Sequence, residues 1–65
     1  MPIVHISILE GRDSKQKARL ISAVTEAVVD ALDAPAESIR VLINEVPKEH
    51  WGIAGLSAAE RDNNK

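Results

Sequence analysis

In this chain of 65 residues, Pro2 is the residue whose position invites chemistry. It directly follows Met1, where methionine aminopeptidases commonly expose a proline. Once exposed, its nitrogen is a secondary amine on a rigid ring, at once a nucleophile and a base. With Met1 attached, the same nitrogen is an amide whose delocalised lone pair has no basicity. The plainer reading is a proline that only starts a strand, a place where its missing N–H is tolerated. Few other residues offer reactive groups. Cysteine is absent, which removes disulfides and thiolate metal sites. The two histidines, His5 and His50, stand in no metal-ligand spacing. Trp51 is the only aromatic residue and by itself reads as an interface anchor. No composition rule alone marks an enzyme.

The elements that would position these residues are legible from periodicity. Residues 3–9 are β-branched and mostly apolar, and predict a strand buried largely on both faces. Gly11 breaks the run as a turn residue. Asp13 followed by Gln16 has the form of a capping box, so a helix should begin near Ser14. Leu20, Ile21, Val24, Ala27, Val28, Ala31 and Leu32 then recur at helical spacing as one broad apolar stripe. Asp33-Ala34-Pro35 ends the helix, because proline disfavours helical geometry in the residue before it. Residues 39–46 predict a second strand, which Pro47 stops. Residues 51–56 are apolar and glycine-punctuated, and predict a short hairpin or arm laid on a neighbour. The polar tail from Glu60 to Lys65 predicts frayed chain.

The fold class is therefore α/β, one β-α-β unit with two parallel strands and a right-handed crossover, in a single domain spanning 1–65. Two strands and one helix leave the far sheet face bare, whereas parallel sheets require both faces buried. A domain of this size buries only about 60% of the surface its unfolded chain exposes. With neither disulfides nor a metal to staple it, oligomerisation remains. The apolar fraction of 45% fits aliphatic surface that faces other subunits. A formal net charge of −2, without basic–aromatic interleaving, argues against a nucleic-acid partner. No apolar run approaches a membrane span and no secretion signal is visible, so a soluble cytoplasmic protein is expected. Within the helix, Lys15, Lys17 and Arg19 come early and Glu26, Asp30 and Asp33 late, against the macrodipole. This is either a solvated face or a cationic zone that draws in anions.

Taken in order and spacing, Pro2-Ile3, Ile8-Leu9-Glu10-Gly11-Arg12, Leu32-Asp33-Ala34-Pro35, Ser38-Ile39-Arg40-Val41 and His50-Trp51-Gly52-Ile53 resemble the 4-oxalocrotonate tautomerase family over about residues 2–56. The resemblance implies a β-α-β subunit, a homohexamer built as a trimer of dimers, no cofactor and no metal. It also implies an active site assembled at subunit contacts. The substrate would be a small anion, a 2-hydroxydienoate or the enol of a 2-oxo acid such as 2-hydroxymuconate. Pro2 would be the general base and Arg40 the catalytic cation that polarises the 2-oxygen. Arg12 would hold a distal carboxylate and Trp51 would form the pocket wall, with Leu9, Ser38 and Ile53 as further binding residues, Ser38 through its backbone.

Each implied role has a physical basis. An ordinary α-amino group has a pKa of about 8, and apolar walls and guanidinium groups both disfavour its protonated form. That brings it toward the working pH, where a general base is most effective. Guanidinium groups bind carboxylates bidentately and stabilise charge developing on oxygen. A structural reading stands beside each. Arg40 lies inside an apolar strand, where an unpaired charge is costly, and Glu37 or Glu45 would relieve it across an interface. Arg12 lies in a polar turn, where most arginines are solvated. The family usually has phenylalanine where this chain has Trp51, which reshapes the pocket. Two other functions remain as alternatives. One is a hydratase-like 3-haloacrylate dehalogenase, which would need an acidic residue where Ile53 and Ala54 stand. The other is a non-catalytic oligomeric binding module, against which the intact Pro2, Arg12 and Arg40 argue.

Overall fold

The computed structural model describes residues 1–63. It runs β1 (Ile3–Leu9), α1 (Ser14–Leu32), a 3-10 turn (Ala36–Ser38), β2 (Arg40–Val46), a second 3-10 turn (Lys48–His50), β3 (Gly52–Ile53), β4 (Leu56–Ser57) and α2 (Ala58–Asn63). β1 and β2 are parallel and in register from Ile3 opposite Arg40 to Leu9 opposite Val46. This is the expected β-α-β unit.

The ends of α1 follow local chemistry. Asp13 accepts from the Gln16 amide at 2.8 Å, and the Gln16 side chain accepts from the Asp13 amide at 3.2 Å. These reciprocal bonds satisfy donors the helix cannot use internally. At the other end Asp33 adopts a left-handed conformation, φ 53°, just ahead of Ala34-Pro35. Gly11, at φ 125°, turns the chain out of β1 in a conformation that an L side chain resists.

α1 covers one sheet face. Val4, Ile6, Ile8, Val41 and Ile43 turn toward it and are half-buried, whereas Ile3 is 56% exposed and Leu42 47% on the opposite face. The expectation of a first strand buried on both faces fails within one chain, because a single helix can shield only one side of a pleated pair. The helical stripe divides likewise. Leu20, Val24 and Val28 are half-buried, while Ile21, Ala27, Ala31 and Leu32 are exposed. Among the described residues only Ile39 and Ala58 are buried, each 7% exposed. The radius of gyration is 15.2 Å, against about 11 Å for a compact chain of this length. The extents, 46 × 24 × 15 Å, describe an elongated plate.

Beyond Pro47 the chain forms the predicted hairpin, with Gly52 opposite Ser57 and Ile53 opposite Leu56. Ala54 and Gly55 turn it at φ 53° and 89°, the positive pair of a two-residue primed turn. The frayed tail expected from Glu60 is a correction. Glu60 lies in α2, which a second capping box starts: Ser57 Oγ accepts from the Glu60 amide at 3.1 Å and Glu60 Oε1 accepts from the Ser57 amide at 3.2 Å. Lys48 reaches Asp62 at 2.6 Å and ties the helix to the preceding turn. Asn64 and Lys65, the rest of that expected tail, lie outside the described residues.

Candidate active site

The parallel pairing sorts the candidate residues into two groups. Pro2 precedes β1 and Arg40 opens β2, and the Arg40 amide donates to the Pro2 carbonyl at 3.0 Å. Ser38, two residues before Arg40, completes this group at the start of the strands. Leu9 ends β1, Arg12 follows it, and Trp51 and Ile53 lie in the segment that continues from the end of β2. The six steps from Ile3 to Leu9, at about 3.3 Å each, put about 20 Å between the two ends. One chain therefore brings Pro2, Ser38 and Arg40 together and keeps Leu9, Arg12, Trp51 and Ile53 away from them.

At the first end, a proline-started turn shapes the site. The Ser38 amide and hydroxyl both donate to the Pro35 carbonyl, at 3.0 and 2.8 Å. The Ile39 amide donates to Ala36 at 3.1 Å, so Ile39 belongs to the turn and the strand begins one residue later than expected. Arg40 is consequently not inside an apolar strand but at its first position, and it is exposed. Its Nη1 donates to the carbonyls of Glu37, at 2.7 Å, and Ile39, at 3.3 Å. The contact with Glu37 is to the backbone, not the carboxylate. Glu45 is bound within the chain to Lys17 at 2.8 Å.

At the second end, Arg12 is exposed and its Nη1 donates to the Leu9 carbonyl at 3.1 Å. Trp51 is half-buried, its carbonyl accepting from the Ala58 amide at 2.7 Å, and Ile53 is 41% exposed. Among the described residues neither Arg12 nor Arg40 has a carboxylate partner. A guanidinium has five N–H donors, so each keeps most of its fork for an anion. Lys17, by contrast, has its charge met by Glu45, so of the early basic residues of α1 only Lys15 and Arg19 have no carboxylate partner among the described residues. A concavity of about 340 Å³ over His5, Ser7, Leu42 and Asn44 on the bare sheet face contains none of the candidate residues. Among the described residues no group of three or more His, Cys, Asp or Glu is placed to hold a metal ion, and no helix is long and apolar enough to cross a membrane.

The sequence marks Pro35 as a helix stop and Glu37 as a carboxylate partner for Arg40, but not the backbone turn in which both act. Pro35 followed three residues later by Ser38 was the available signal, a serine placed to bond back to a turn carbonyl.

A tautomerase-enzyme family model matches residues 2–61. The chain belongs to the tautomerase family. This tautomerase is 53% identical over 60 residues to the 2-hydroxymuconate tautomerase of Comamonas testosteroni, covering 92% of this chain and 95% of that one. Its fold matches a 4-oxalocrotonate tautomerase isozyme of Methylibium petroleiphilum with a TM-score of 0.96 at 44% identity, over 98% of this chain and 100% of the other. It also matches a chain of the heterohexameric 4-oxalocrotonate tautomerase of Chloroflexus aurantiacus J-10-fl, with a TM-score of 0.89 at 43% identity, over 92% and 97%. The protein is thus an enzyme of the isomerase class with a tautomerase-type β-α-β subunit, similar to subunits of oligomeric relatives.

Proposed function

We propose that this tautomerase is a cofactor-independent keto–enol isomerase of 2-hydroxydienoates and 2-oxo acids such as 2-hydroxymuconate, with the nitrogen of Pro2, freed of Met1, as its general base. The observation that carries the reading is the division of the candidate groups between opposite ends of one sheet. A base and a cation stand at one end, and a second cation and an aromatic wall at the other. A dicarboxylate enol needs all of them at once, so the site forms where the ends of different copies meet. The bare sheet face and the exposed half of the α1 stripe supply apolar surface for that assembly. The chain acts as one tautomerase domain, 1–65, in a homohexamer arranged as a trimer of dimers, in the cytoplasm.

In the reaction, the Pro2 nitrogen takes the proton of the 2-hydroxyl. The oxygen becomes a carbonyl, the double bonds shift along the chain, and the protonated Pro2 returns a proton to carbon. Arg40 stabilises the charge that develops on the 2-oxygen, and Arg12 holds the distal carboxylate. The arm offers Ile53 and Ala54, neither of which can activate water, so hydration of haloacrylates is not the primary activity.

The test is ketonisation of 2-hydroxymuconate by two preparations whose intact masses differ by Met1. Methionine-free protein should be active and Met1-bearing protein should be at background. Equal activity in the two would remove Pro2 from the mechanism.

A further inference from the structure

We infer that Ser38 is a positioning residue, one that acts on the reaction through Arg40 rather than by touching substrate; this rests on the proposed catalytic role of Arg40. Both Ser38 donors converge on the Pro35 carbonyl, the amide at 3.0 Å and the hydroxyl at 2.8 Å. The hydroxyl proton is therefore committed to the turn. That doubly closed turn fixes the carbonyl of Glu37, onto which Arg40 Nη1 donates at 2.7 Å, and that of Ile39, its second acceptor at 3.3 Å. The Arg40 backbone is pinned separately, by its amide on the Pro2 carbonyl. Strand pairing thus sets where Arg40 starts, and the turn sets where its guanidinium points.

The count of donors gives this arrangement a purpose. Nη1 carries two of the five N–H groups, and two backbone carbonyls take them. The Nε–Nη2 edge remains, the edge that grips a planar oxyanion with two parallel bonds. Removing the Ser38 hydroxyl leaves the 3-10 turn closed by backbone bonds alone, and such bonds have poor geometry in so tight a helix. The Glu37 carbonyl then drifts and takes the guanidinium with it. A displacement of about 1 Å in a catalytic group can reduce rates by as much as a hundredfold. Partial loosening of one turn should reduce kcat by about five- to thirtyfold on that scale, with little change in KM.

The experiment is a double-mutant cycle on methionine-free protein, with the enol of phenylpyruvate as substrate and particle mass checked by light scattering. Arg40→Ala should abolish most of kcat. Ser38→Ala should lower kcat within the stated range, and Ser38→Thr, which keeps the hydroxyl, should restore it. In the Arg40→Ala background, Ser38→Ala should have no further effect. If the Ser38 and Arg40 losses multiply, or if Ser38→Ala is silent while Arg40→Ala is severe, the positioning role is wrong and the catalytic reading of Arg40 survives. If Arg40→Ala is itself silent, that catalytic reading falls and the positioning role with it. Should Ser38→Ala fail to assemble, Ser38→Cys, which keeps the volume with only a weak S–H donor, takes its place in the same cycle.

Discussion

Arg40 is joined to Pro2 through the backbone: its amide donates to the Pro2 carbonyl at 3.0 Å, the bond that starts the pairing of β1 with β2. The proposed base and the proposed catalytic cation are thus registered to each other by the sheet itself. Arg12, about 20 Å along the strand direction, is registered to neither, and under the proposed function its contribution comes from another copy.

That separation yields a kinetic test of the two arginines. Arg40→Ala should lower kcat for every substrate, by about a hundred- to a thousandfold, as loss of an oxyanion donor does. Arg12→Ala should reduce kcat/KM for 2-hydroxymuconate about ten- to a hundredfold, the value of a lost charge-assisted hydrogen bond. A monoacid enol, which lacks the distal carboxylate, should be turned over as before. Equal losses on both substrates with the oligomer intact would sink the distal-carboxylate role.

Assembly can be broken from the bare sheet face. Leu42 is 47% exposed there and directly opposite His5. If the face is buried in the proposed hexamer, Leu42→Glu should reduce the particle from that assembly of 7.0 kDa subunits toward smaller species, and folding and activity should fall together on dilution. Light scattering that finds the large particle unchanged would mean that this face remains in water.

The hairpin turn stores a small strain at Ala54, whose φ of 53° is left-handed for a residue with a Cβ. Left-handed geometry costs an L residue about 1–2 kcal/mol. Ala54→Gly should therefore stabilise the arm, by about 0.5–1 kcal/mol after the extra flexibility of glycine in the unfolded chain is subtracted. Ala54→Val should destabilise it by more than glycine gains. Denaturant midpoints of the three proteins give the order directly.

The arm also has a pH signature at its alkaline limit. The hydrogen bond and charge of Asp62 raise the pKa of Lys48 above the ordinary 10.5. A raised lysine binds its proton more tightly when folded, so its contribution is complete below 10.5 and lost as pH climbs through the folded value. Hydrogen exchange of the α2 amides should be equally protected at pH 7 and 9 once the intrinsic rate is corrected. Protection should fall above 10.5, and Lys48→Met should remove that step. Because both side chains are about half exposed, the effect should shrink in high salt.

Local patterns were sufficient for the β-α-β unit. β-branched runs, the Asp13–Gln16 capping box and Asp33-Ala34-Pro35 are interactions within a few residues, so the chain declares them without knowing its fold. The hairpin at 51–56 was legible for the same reason. Ser57-x-x-Glu60 carries the same kind of local signal and starts α2, although the polar residues after it read as frayed chain. A small core was also legible in the sequence, which has neither staples nor aromatic bulk to enlarge one, and among the described residues only Ile39 and Ala58 are buried.

Tertiary structure decided the rest. Sequence spacing gives no distance between Pro2, Arg40 and Arg12. Parallel pairing puts the first two side by side and the third at the far end, because strand direction, not separation along the chain, sets which ends meet. It also moved Arg40 from the interior of a strand to its first residue, since Ile39 gives its amide to the Pro35–Ser38 turn. Which carboxylate meets which cation was likewise undetermined by composition. Glu45 goes to Lys17 because β2 and the start of α1 lie against each other in space. Among the described residues that leaves Arg12 and Arg40 with no carboxylate partner, each bound through Nη1 to backbone carbonyls alone.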